Sequence, residues 1–150
     1  MTGTPWWRQL FGRRKPAPLS ADRADLVVVV SSFDDAEACS TALDRGAAAD
    51  PVWLADAEAV LRHHLRLPAA GVARAAELAA QDGYAVAGDP ADVPPEPEAD
   101  GLAAVVLQRV QILDALHCSQ EKSRMAGLAQ RAGGTVVGWD ALQPSPAGAH

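Results

Sequence analysis

The stretch "LRHHLRLP", residues 61–68, alternates apolar and polar positions. A period of two belongs to a strand, with Leu61, His63, Leu65 and Leu67 on one face and Arg62, His64 and Arg66 on the other on the condition that His63 faces inward. Four further runs read as strands. "DLVVVV" (25–30) is β-branched and suits a buried strand, "YAVAG" (84–88) is short, "LAAVVLQRVQIL" (102–113) is the strongest candidate, and "TVVGWDAL" (135–142) closes the patterned region. Helical spacing fills the intervals. Residues 34–46 carry Ala36, Cys39, Ala42 and Leu43 on one stripe, with Ser31, Ser32 or Asp34 placed to cap the start and Gly46 to stop the end. Residues 69–83 place Val72, Ala75, Ala76, Leu78 and Ala79 on an apolar side and end at Gly83. A third helix starts near Asp114, has Leu116, Met125 and Leu128 as its larger apolar residues, and stops at Gly133-Gly134. Asp50-Pro51 suits the first turn of a short helix. Residues 89–101 are acidic and Pro-rich and follow neither period.

From residue 61 the order is β-α-β, loop, β-α-β. Two such halves predict an α+β fold of the ferredoxin-like kind: a four-stranded antiparallel sheet with its helices on one face. An extra strand and helix precede it at 25–46, where they are placed to cover part of the other face. The expected organisation is a basic and aromatic arm over 1–24, one domain over 25–142, and a disordered tail over 143–150.

The 150 residues suffice for one domain, and no apolar run approaches the roughly 18 residues needed to cross a bilayer. The formal charge of −6 is unevenly spread. Arg8, Arg13, Arg14, Lys15 and Arg23 face only Asp22 in the first 23 residues, which leaves a net charge of −10 on the remainder. Such a body does not suit the phosphates of nucleic acid and does suit a basic protein segment. The arm has Trp6, Trp7, Leu10 and Phe11 on one side of a short helix, followed by Arg13 and Arg14. Together with Arg8 these fit a weak membrane-surface or partner-docking peptide, or a leader packed loosely on the body. Two cysteines, Cys39 and Cys118, form no CxxC pair, and the opening residues lack the apolar core of a secretory signal. The expected setting is the reduced cytoplasm.

Candidate chemistry is sparse. The chain has no GxGxxG, phosphate-binding loop or G-x-S-x-G elbow, so no catalytic residue and no cofactor are assigned. His63-His64 and His117-Cys118 invite a metal reading. Neighbouring strand residues point to opposite faces, however, so one pair cannot readily give two ligands to one ion, and no metal is assigned. Asp34-Asp35 read as acids at a helix start.

Several short motifs then share an order with a known family. "LDRGAAADP" (43–51) is similar to its helix end and Asp-Pro lead-in, and "LRHHL" to its Glu-His-His-Leu strand. "DGYAV" followed by "DPADV" is similar to its Gly-Tyr-x-Val strand and what comes after, and "VVGW" to its Tyr-Asp-Gly-Trp. Over about residues 43–142 the chain thus resembles RraB, the bacterial regulator of ribonuclease activity B. The resemblance implies an acidic, non-enzymatic inhibitor that docks on ribonuclease E and so affects RNA turnover; the charge independently suggests a basic segment of that partner and no nucleic-acid contact by the acidic body. It points to His64, Tyr84, Trp139 and Asp140 as partner-binding residues. The chain departs from the pattern where Val136-Val137 replace Tyr-Asp, where "PSPAGAH" replaces a long acidic tail, and in the additional 25–30 strand and arm. The other readings are a small-ligand or sensor domain on the same fold, and an enzyme built on the scattered histidines and carboxylates.

Overall fold

The computed structural model describes residues 18–88 and 97–146. The arm residues Trp6, Trp7, Arg8, Phe11, Arg13 and Arg14 lie outside the described residues, as do 89–96 and 147–150.

The fold is α+β. Its strands are β1 (Leu26–Ser32), β2 (Glu58–Pro68), β3 (Ala85–Val86), β4 (Leu102–Ile112) and β5 (Thr135–Pro144), and its helices are α1 (Cys39–Ala47), α2 (Val72–Ala80) and α3 (Ala115–Ala132). They form one antiparallel sheet in the order β1-β5-β2-β4-β3. The alternation read in β2 is the one observed: Leu61, His63, Leu65 and Leu67 are buried, while Arg62, His64 and Arg66 are half-buried on the opposite face. Helix α3 starts at an Asp114 cap, whose Oδ1 accepts from the His117 N–H at 2.8 Å. It ends in a Schellman turn, in which Gly133 takes a φ of 85° and the Gly134 N–H reaches the Ala129 carbonyl at 2.8 Å.

Several boundaries differ from the sequence reading. Helix α1 begins at Cys39, because Ser31 and Ser32 belong to β1 and Asp34 spends its carboxylate on the Ala36 N–H in a local turn. Gly46 lies within α1 and does not stop it. A β-carbon there would come within 2.6 Å of the Val30 side chain and 2.9 Å of the Val29 carbonyl, so the glycine permits close packing of helix on strand. No helix follows Asp50-Pro51. Residues 48–57 form a loop clamped by the buried Gln143, whose amide exchanges two 2.9 Å hydrogen bonds with the main chain of Leu54. Gln143 and Pro144 therefore belong to β5 and not to a tail. Of the larger apolar residues of α3, Met125 and Leu128 are buried and Leu116 is 64% exposed.

All three helices pack on the face that carries the odd-numbered residues of β2. One apolar cluster joins Val29, Val30, Cys39, Leu43, Leu61, Cys118 and Trp139. A second joins Leu65, Leu67, Ala75, Ala79, Tyr84, Leu107, Met125 and Leu128. The unit at 25–47 therefore widens the sheet through β1 and adds α1 to the helical layer rather than covering the other face, on which no helix lies among the described residues. On that open face the Arg62 guanidinium makes two 2.7 Å bonds to Asp140. His64 Nε2 lies 3.1 Å from the same carboxylate, and Phe33 packs on the His64 ring at 5.3 Å.

Two glycines should respond oppositely to alanine. A β-carbon at Gly134 would overlap the Arg66 carbonyl oxygen, so Gly134→Ala is expected to destabilise by about 1–3 kcal/mol or more through overpacking. Gly127 lies inside α3 with open space around it, so Gly127→Ala is expected to stabilise by about 0.5–1 kcal/mol. Urea denaturation of both variants measures the contrast.

Candidate functional site

His63 sits in the middle of β2, paired across the sheet with Leu107 of β4 and Trp139 of β5. It is 1% exposed and stands between Leu61 of the first apolar cluster and Leu65 of the second. Burial of a polar ring in that place requires partners. Tyr84 supplies one: its hydroxyl lies 3.4 Å from His63 Nε2 and donates to Glu121 Oε1 at 2.8 Å. Because the tyrosine proton goes to Glu121, its oxygen accepts from the imidazole. The proton of neutral His63 is thus on Nε2 and its lone pair on Nδ1.

Glu121 is itself buried and surrounded by cations. Arg109 Nη2 lies 3.4 Å away and Arg124 Nε 3.1 Å. Arg124 also pairs with Asp82, and Arg109 donates to the Asp82 carbonyl and to Gln111, while its guanidinium carbon lies over the Tyr84 ring, 4.7 Å from the centroid, in a cation–π contact. These contacts shift the groups in different directions. Burial lowers the pKa of His63 to about 4, against a partial upward pull from Glu121. Burial and the bond to Glu121 raise that of Tyr84. Burial alone would raise the Glu121 carboxyl, but Tyr84 and the two arginines outweigh it and hold it below the ordinary value. The cluster is therefore a fixed chain of neutral imidazole, neutral phenol and ionised carboxylate.

A cavity of about 310 Å³ lies beside His63. His63, Trp139 and Ser32 are its buried lining, and Asp34, Asp35, Ser119 and Ser123 its exposed lining, with Lys122, Ala126 and Val136–Gly138 completing the wall. Lys122 gives its ammonium to the main-chain carbonyls of Asp35 and Glu37, at 3.0 and 3.2 Å. The β5 bulge opposite His64-Leu65 leaves Val137 unpaired and 44% exposed at the rim. Trp139 Nε1 is buried without a hydrogen-bond partner among the described residues.

The four residues expected to bind a partner are separated by the sheet. His64 and Asp140 lie together on the open face, where Asp140 is 4% exposed and held by Arg62. Tyr84 and Trp139 lie on the helix side, 3% and 2% exposed, so neither presents a surface for direct contact. The sequence reading missed Glu121, Arg109 and Arg124. The signal was present: Glu121 interrupts the stripe Cys118, Met125 and Leu128 on α3, and a carboxylate on a buried stripe demands a cationic or hydrogen-bonding partner. His117 stays at the exposed start of α3, bonded to Asp114 at 2.7 Å and apart from His63. Among the described residues no group of three or more His, Cys, Asp or Glu is placed to hold a metal, and no helix is long and apolar enough to cross a membrane. Comparison of the chain with protein-family models, with curated proteins and with solved structures returns no match.

Burial of neutral His63 links stability to pH. Its folded pKa lies below the value of about 6.5 expected of the unfolded chain, so the unfolded state binds the proton more tightly and stability falls as pH drops from about 6.5 towards 4. The loss from this group should reach about 2 kcal/mol at pH 5 relative to pH 7. Denaturation at the two pH values should show that loss in the parent and its removal in His63→Gln.

Proposed function

We propose that this chain is a non-enzymatic regulatory protein of the RraB kind, which binds a basic segment of a ribonuclease E-like endoribonuclease and modulates RNA turnover in the cytoplasm. The observation that carries the proposal is spatial convergence. The motifs of the resemblance lie far apart in sequence, yet His63 of "LRHHL" pairs across the sheet with Trp139 of "VVGW" and reaches Tyr84 of "DGYAV" through its ring nitrogen. Residues that share a motif series for structural reasons are expected to meet in this way. The strand order β5-β2-β4-β3, with helices crossing between β2 and β3 and between β4 and β5, supports the ferredoxin-like plan.

Charge supports a basic partner and favours one surface of the chain for it. Residues 25–58 hold Asp25, Asp34, Asp35, Glu37, Asp44, Asp50, Asp56 and Glu58 against the single cation Arg45. That segment therefore has a net charge of −7, out of −10 for the body. Phe33, Val52 and Leu54 are exposed within it, at 53%, 36% and 53%. Acidic residues interspersed with exposed apolar groups suit a basic segment that also buries side chains. The open face is a weaker candidate, because Arg62 and Arg66 already pair there with Asp140, Glu98 and Asp100. A small-ligand regulatory domain is the second reading, favoured by the cavity beside His63.

Purified ribonuclease E immobilised on a column should retain the full chain at low salt and release it as salt rises, because screening weakens exposed charge pairs. Reversal of Asp44, Asp50 and Asp56 to lysine should abolish retention while leaving the fold intact by circular dichroism. Absence of retention at low salt would overturn the reading.

A further inference from the structure

The cavity beside His63 has a size that suits one long side chain and carries two carboxylates at its exposed end. Its volume of about 310 Å³ is too small for a secondary-structure element and ample for a single long side chain. Asp34 and Asp35 line its exposed end. Asp34 accepts only from the Ala36 N–H, and neither carboxylate makes an ion pair among the described residues. Lys122, the one cation in the wall among the described residues, is engaged with main-chain carbonyls instead. The hydroxyls of Ser32, Ser119 and Ser123 add acceptor oxygens, and His63 adds the lone pair that its bond to Tyr84 leaves on Nδ1.

These features select among occupants. A carboxylate or phosphate would meet two unpaired carboxylates. An ammonium is a compact and strongly hydrated charge, whereas a guanidinium is planar, less strongly hydrated and carries five donors. A group of that shape can donate to several acceptors at once while its charge stays near the two aspartates. Side chains seated in a pocket of this kind are the usual anchors of protein interfaces, and arginine is prominent among them.

We propose that this cavity receives an arginine side chain of the partner, with the guanidinium donating to His63 and the serine hydroxyls and its charge held by Asp34 and Asp35. The proposal rests on the reading above that the partner presents a basic segment. Specificity then comes from the socket, and the wider acidic surface of residues 25–58 supplies attraction at a distance.

The test uses the isotope-labelled full chain titrated with N-acetyl-arginine N-methylamide and with its citrulline counterpart, which has nearly the same shape and no charge. The arginine probe should give saturable shifts at the amides of Ser119, Ser123, Val137 and Gly138, with affinity roughly tenfold or more above citrulline. Asp34→Asn with Asp35→Asn should erase that preference, and Ser123→Leu should block both probes. Equal binding of the two probes, or shifts confined to other parts of the molecule, would overturn the socket. The ribonuclease E column separates the two ideas. Loss of arginine-probe binding with undiminished retention of the Ser123→Leu variant overturns the socket and leaves the regulator. Arginine-probe binding without any retention supports the socket and overturns ribonuclease E as the partner.

Discussion

The fold turns on a polar ring buried in the middle of its central strand. His63 replaces what would be a third leucine between Leu61 and Leu65, and a buried imidazole without partners would cost several kcal/mol. Tyr84 has to come down from the turn after α2 to meet it, and Glu121 has to face inward from α3 to accept the tyrosine proton. Glu121 in turn draws in Arg109 from β4 and Arg124 from its own helix. One buried polar group thereby fixes the placement of two strands, one turn and one helix. A network of this sort specifies a packing more sharply than it stabilises it, since each member loses much of its value when its neighbour is removed.

The same histidine divides the core and borders the cavity. The apolar cluster around Trp139 belongs to β1, α1 and the first half of α3, and the cluster around Tyr84 belongs to α2 and the second half. The polar layer lies between them, and the cavity opens where α3, the 32–35 turn and the β5 bulge diverge. The bulge is what makes the rim. It lets Val136 pack against the second cluster while Val137 and not Val136 emerges, so a residue that strict alternation with Trp139 would bury is exposed.

The unit at 25–58 has a different physical character from the rest. It adds β1 to one edge of the sheet and α1 to the helical layer, and it holds most of the negative charge. Its attachment depends on close approach: Gly46 brings α1 against β1, and Gln143 ties the following loop to β5. Acidic groups are kept outward, where solvent screens their mutual repulsion, and only Glu37 is matched by a cation within the segment, through Arg45. A surface of this kind attracts basic chains at long range while leaving the packing beneath it apolar.

The sequence by itself determined the elements with a clear period. Strand β2 and the faces of its residues, strand β4, the Asp114 start and the Gly133 stop of α3 were all legible, because each depends on local alternation or on a cap within a few residues. It did not determine where α1 begins, because Asp34 could cap a helix or close a turn and only the length of β1 decided which. It did not place Gln143 in β5, since the amide's partners lie in a loop more than eighty positions away in the chain. It grouped His64, Tyr84, Trp139 and Asp140 as one site, whereas tertiary structure put two on each side of the sheet. Residue order gives a strand's two faces but does not say which residues of other elements meet on each. That choice follows from where the large apolar side chains can pack together, and with it came the cluster of His63, Tyr84 and Glu121 and the cavity beside it.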